Sequence, residues 1–100
     1  MKAGMARQKV PGGKLLVVKL KYDEKIEQLM IEGDFFIFPE DALPYLEDAV
    51  VGIRADADEE TISNLIRNSA ESRNIELVGI NPDEIARTIR MAIKNPLQTT

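Results

Sequence analysis

One hundred residues make one small domain, and 44% hydrophobic with 30% charged residues fits a folded soluble chain and excludes disorder. A net charge of −4 supplies no global field for displacing counterions from nucleic acid, although it leaves room for a local basic patch. With neither cysteine nor histidine, the chain has no disulfide, no thiolate metal site and no imidazole proton shuttle.

No apolar run approaches the length of a bilayer span, and Met1 to Ala6 lacks the apolar stretch of a signal peptide. The expectation is a cytoplasmic protein with no membrane or nucleic-acid partner. Residues 1–8 read as a flexible N-terminal tail, within which Met5 is a second candidate start. Pro11-Gly12-Gly13 marks a turn. Leu16, Val18, Leu20 and Tyr22 then alternate with Leu15, Val17, Lys19 and Lys21, the pattern of a half-buried strand. After the polar turn Asp23-Glu24-Lys25, Ile26 to Glu32 completes an antiparallel hairpin, with Leu29 and Ile31 on one face. Gly33-Asp34 interrupts this run and Phe35 to Phe38 continues it. A glycine inside a strand pattern signals a bulge or a close backbone approach.

Pro39-Glu40-Asp41 opens a first helix, carried by Leu43, Leu46 and Val50 and closed at Gly52. Asp56 or Asp58 caps a second helix with Ile62, Leu65, Ile66 and Ala70 on its apolar stripe, ending near Asn74. Ile75 to Val78 reads as a third strand. Asn81-Pro82-Asp83-Glu84 is a strong helix start, with Asn81 as the cap and Glu84 placed to complete a capping box. Ile85, Ala86, Ile89, Ala92 and Ile93 form that helix's apolar face, and Asn95-Pro96 stops it, leaving a frayed end at 96–100. The predicted fold is therefore α+β: a small, mostly antiparallel three-stranded sheet with helices packed on one face, in the order β-β-α-α-β-α.

Four groups of residues could carry chemistry. Gly12-Gly13-Lys14 offers exposed backbone N–H groups and a cation for a phosphate, but it lacks P-loop spacing and precedes a strand, so on chemistry alone a turn leading into a strand is the better reading. Phe35, Phe36 and Phe38 place large aromatics on both sides of a strand, as a two-sided core element or with one face turned to a partner. The carboxylates from Glu40 to Glu60 sit where helix caps and solvated faces need them, which leaves no argument for catalytic or metal-binding carboxylates. Arg87, Arg90 and Lys94 form a basic row whose last two members lie toward a helix C-terminus, where cations are favoured.

The run Lys9-Val10-Pro11-Gly12-Gly13-Lys14-Leu15, the hairpin, and then Gly33-Asp34-Phe35-Phe36 resemble the accessory domain of lipoate–protein ligases. The resemblance continues through Pro39-Glu40 and Leu46-Glu47-Asp48-Ala49-Val50-Val51-Gly52, and the pattern of helix, strand and helix extends it over residues 9–95. In that family the domain is either fused to a catalytic domain or stands as a separate small subunit, and this chain resembles the bipartite form. The fold also resembles the SufE/NifU-like fold of iron–sulfur assembly scaffolds, whose cysteine chemistry a cysteine-free chain cannot perform.

The resemblance implies an accessory role in a two-step reaction. Lipoate and ATP give lipoyl-AMP and pyrophosphate, and the lipoyl group then passes to a lysine of an E2 lipoyl domain or of the glycine-cleavage H protein. A catalytic partner subunit would hold lipoate, ATP and Mg²⁺, with no cofactor bound and no catalytic residue supplied by this chain alone. Lys9, Pro11, Gly12, Gly13 and Lys14 would lie near the adenylate at the joint between subunits, supported by Gly33, Asp34, Phe35 and Phe36. A subunit of this kind is expected to present an exposed apolar patch. Two other readings are an independent small transferase, for which no nucleophile–base pair is visible, and a scaffold or regulatory module that binds a carrier protein.

Overall fold

The structure is a computed structural model, and it describes residues 1–12 and 14–95. Gly13 and the expected frayed end at 96–100 lie outside the described residues. Three long strands, β1 (Lys2–Val10), β2 (Lys14–Tyr22) and β3 (Ile26–Gly33), form an antiparallel meander. Next come β4 (Phe36–Phe38), α1 (Leu43–Asp48), α2 (Glu59–Ser72), β5 (Glu76–Val78) and α3 (Pro82–Lys94). The order is β-β-β-β-α-α-β-α, so the α+β class holds while the predicted element order does not.

The alternation in β2 sets the layers. Leu16, Val18, Leu20 and Tyr22 are between 0 and 6% exposed and face α3, whereas Leu15 and Val17 are half-buried and Lys19 and Lys21 exposed on the other side. The helices thus cover one face of the sheet, as the pattern predicts. The Tyr22 hydroxyl donates to the Ile93 carbonyl at 2.9 Å, which ties the far end of β2 to the last turn of α3. Ile62 and Ile66 of α2 and Ile85 and Ile89 of α3 are fully buried, each contributing about 1.5–3 kcal/mol through removal of apolar surface from water.

Both long helices begin at the residues their caps dictate. Asp58 accepts from the Thr61 N–H at 2.8 Å, and Asn81 accepts from the Glu84 N–H at 2.8 Å, satisfying amides that have no partner within the helix. The Glu84 carboxylate does not close a capping box. It is nearly buried and lies 3.4 Å from Arg87 Nη1. Asn74, at φ +54°, turns the chain out of α2 toward β5.

Three expectations are corrected. Residues 1–8 are not a tail, because Lys2 to Gln8 belong to β1 and pair with β2 along its whole length. The strand was hidden because its inward residues are Gly4, Ala6 and Gln8, small or polar where strands are normally branched. Two of them have a reason in α3. A side chain on Gly4 would collide with the Ala92 carbonyl, and the Gln8 amide oxygen lies 2.8 Å from the buried Thr88 hydroxyl.

The run from Ile26 to Phe38 is not one interrupted strand. After Gly33 the chain leaves the sheet, and β4 pairs antiparallel with β5 in a separate two-stranded ribbon, so Ile75 to Val78 adds nothing to the main sheet. The first helix is short, starting at Leu43 rather than Pro39 and ending at Asp48. The chain after it is drawn to the sheet instead: Gly52 N–H donates to the Ile26 carbonyl at 2.8 Å and Ile26 N–H to the Ile53 carbonyl at 2.9 Å.

On the outer edge of β3, Glu47 accepts from the Ile31 N–H at 2.8 Å, giving a partner to an amide that no strand covers. Burial pushes the Glu47 carboxyl above its ordinary value; the Ile31 bond opposes this and Asp48 adds to it. The folded state therefore holds this proton to higher pH than the unfolded chain. Its contribution to stability is full below about 4.5 and declines as pH rises through the folded value. Glu47→Gln keeps an acceptor and removes the titration. Urea midpoints between pH 4 and 7 should show the variant gaining on the parent as pH rises, and a constant difference would refute this assignment.

Candidate functional site at the turn end of the sheet

Three backbone segments meet at one end of the molecule. The β1–β2 turn brings Pro11, Gly12 and Lys14; the segment after β3 brings Gly33, Asp34 and Phe35; the link from β5 to α3 brings Gly79 to Asn81. Gly33 joins the first two, since Asp34 N–H donates to the Leu15 carbonyl at 3.0 Å beside it. A Cβ on Gly33 would collide with that same carbonyl, so the close approach signalled by the sequence is real. Gly79 joins the third segment. Its φ is +92°, and a Cβ there would stand 3.6 Å from Lys14 Cγ and 3.7 Å from Phe35 Cα. Lys14, Phe35 and Gly79 are therefore neighbours, although 65 positions separate Lys14 from Gly79 in the sequence.

Beside this junction, Pro11, Gly79, Asn81 and Glu84 line a recess of about 240 Å³ at the start of α3. Its helix terminus is already occupied by the Asn81 cap and carries the Asp83 and Glu84 carboxylates, so the recess itself does not favour an anion. Lys14 is an exposed cation at this end, next to Gly79.

The other sequence candidates fall elsewhere. Lys9 pairs with Leu15 on the face of the sheet opposite the helices, so it points away from Lys14, which pairs with Val10. Phe36 is 61% and Phe38 48% exposed, on the outer side of the ribbon with Val78 across from Phe36, while Ile37 is buried and Phe35 packs partly into the core. The aromatic run is thus not a two-sided core strand; it presents an apolar patch to solvent. Sequence reasoning missed Gly79 and Val78, for which the signal was a glycine between a strand and a helix cap.

Among the described residues, nothing at this end forms a nucleophile–base pair. The one suggestive contact lies between α2 and α3, where the Ser63 hydroxyl donates to the Asp83 carboxylate. Ser63 is 3% exposed, and its hydrogen bond, with the Arg67 guanidinium, holds the Asp83 carboxyl below the usual range, the opposite of a general base tuned to neutral pH. It is a tie between helices. Among the described residues, no three acidic groups converge on a metal position, and no helix is long and apolar enough to cross a membrane.

Comparison with known proteins decides the family. No family model matches the chain. It is 32% identical over 78 residues to lipoate–protein ligase A subunit 2 of Thermoplasma acidophilum, which spans 77% of this chain and 78% of that protein. The chain belongs to the lipoate–protein ligase subunit 2 family. Its fold agrees. A solved structure of the bipartite lipoate–protein ligase system of the same archaeon, described with its E2 lipoyl domain, contains a chain that superposes with a TM-score of 0.67 at 29% identity. That likeness covers 90% of this chain and 96% of the other.

Proposed function

We propose that this chain is the accessory subunit of a two-part lipoate–protein ligase, required with a catalytic subunit for ATP-dependent formation of lipoyl-AMP. The observation that carries the reading is the agreement in sequence with a lipoate–protein ligase subunit 2 over 77% of the chain, together with agreement in fold with a chain of a bipartite ligase system over 90% of it. Three features of the molecule support it. Among the described residues no nucleophile–base pair forms, aromatic surface is exposed at Phe36 and Phe38, and Lys14 stands beside Phe35 and Gly79 where three segments meet.

The catalytic subunit supplies the lipoate pocket and the ATP and Mg²⁺ contacts. Adenylation requires charged reactants to be held in line and water to be excluded. The accessory subunit acts by docking against the catalytic one and ordering the segments that enclose the adenylate. Lys14 approaches a phosphate oxygen, while Gly33, Asp34 and Phe35 hold the turn in place behind it. The lipoyl group then passes to an acceptor lysine, of an E2 lipoyl domain or the glycine-cleavage H protein, with release of AMP.

The test is lipoate-dependent exchange of pyrophosphate into ATP by the matching catalytic subunit, with and without this chain. Exchange is expected only in the mixture, and equal exchange without the chain overturns the reading. A Lys14→Ala chain should dock normally and support exchange about tenfold more slowly, the effect of losing one charge-assisted hydrogen bond of about 1.5 kcal/mol. Unchanged exchange would remove Lys14 from the reaction while leaving the accessory role in place.

A further inference from the structure

The face of the meander that the helices leave open combines apolar and basic character. Alternation along each strand puts Met5, Leu15, Val17 and Met30 on this side. Met30 is 51% exposed, the other three are half-buried, and a depression of about 390 Å³ lies between Met5 and Met30. Around them on the same face stand Arg7, Lys9, Lys19 and Lys21, against two carboxylates of β3: Glu32, which lies 3.8 Å from Lys19, and Glu27, the exposed extra residue where the register shifts. Four cations and two anions on a single face contrast with a net charge of −4 for the whole chain.

We infer that this open sheet face is the surface on which the catalytic ligase subunit docks, through an acidic region of that subunit surrounding an apolar side chain that enters the depression. The inference rests on the accessory reading above and adds the surface and its chemistry. The charge selects the partner's sign, because like charges facing one another across an interface are strongly disfavoured, and this also rules out a second copy of the same face. The apolar centre selects a lasting partner over a brief encounter, since permanent interfaces bury more apolar cores. The Lys9–Leu15 pair carries the face up to the β1–β2 turn, so a subunit seated on the sheet comes up to the strand end that holds Lys14 on its other face.

Affinity for the catalytic subunit is measured for the full chain and for the double variant Lys19→Glu, Lys21→Glu, at low and at physiological salt. Circular dichroism checks that the variant folds. Peroxide oxidation of the methionines in the parent chain gives a second measurement that needs no variant: Met30 lies on the proposed surface, and Met91, 40% exposed on α3, is an internal control. The expected result is at least tenfold weaker binding by the variant, parent affinity that falls with salt, and Met30 shielded in the complex while Met91 reacts as before. If the parent chain binds with Met30 still reactive, or if the folded variant binds as tightly as the parent, the docking face is elsewhere and the accessory reading survives. If the parent chain does not bind the catalytic subunit at all, both fall. Shielding of Met30 by a duplex oligonucleotide but not by the subunit would overturn the assignment in favour of nucleic acid.

Discussion

A chain lacking residues 1–8 is expected to lose its cooperative unfolding transition and to be largely unfolded at room temperature. Those residues supply seven of the nine residue pairs between β1 and β2. Their removal turns β2 from a central strand into an edge and strips cover from the α3 face that packs on Gly4 and Ala6. A domain of this size has a total stability of about 5–15 kcal/mol, and a large fraction of one sheet exceeds what that margin tolerates. A shorter deletion that begins the chain at Met5 removes only the Lys2, Ala3 and Gly4 pairs and should give an intermediate loss. Urea unfolding followed by far-ultraviolet circular dichroism separates these outcomes. If the chain without residues 1–8 unfolds at the parent's midpoint, β1 adds nothing and the segment is a tail after all.

This strand also shows where sequence reasoning stops. Hydrophobic alternation found β2 and β3 because their inward residues are large and apolar, and the caps Asp58 and Asn81 located both long helices because a cap is a local event. β1 escaped because its inward residues are shaped by α3: a glycine where the Ala92 carbonyl comes close, and a glutamine where Thr88 presents a buried hydroxyl. Neither partner is near in sequence. The same limit hid the ribbon, since three residues of β4 become a strand only because β5, some forty positions on, lies beside them. At the candidate site, the requirement for glycine at position 33 was legible, and so was the pairing of Lys19 and Lys21 with Leu15 and Val17 on one face of β2. The convergence of Lys14 with Gly79 was not, because it is set by how the link into α3 crosses the turn. The full basic character of the open face was hidden as well, because Arg7 belongs to the strand taken for a tail.

Gly33→Val is expected to cost about 4 kcal/mol and to uncouple the turn end from the rest of the sheet. Two penalties combine. The backbone at Gly33 has φ +156°, where an L side chain is strained by about 1–3 kcal/mol, and a Cβ would collide with the Leu15 carbonyl and stand 3.0 Å from the Phe35 ring. The carbonyl is the less able of the two to yield, because it accepts the Asp34 N–H that carries the chain out of β3. Relief therefore comes from displacing residues 34 and 35, and Phe35 is the residue that touches the Gly79 and Lys14 junction. Gly12→Val provides the control. Gly12 also has a positive φ, +94°, but a Cβ there meets nothing within 4 Å, so only the backbone penalty of about 1–2 kcal/mol applies. Urea midpoints for the two variants should differ widely, and equal losses would show that the Leu15–Asp34 contact does not constrain the junction. If Lys14 works only when this junction holds it, a Gly33→Val chain that is still folded under the assay conditions should slow pyrophosphate exchange at least as much as Lys14→Ala does. Combining the two substitutions should then add little, because both disable one positioned group.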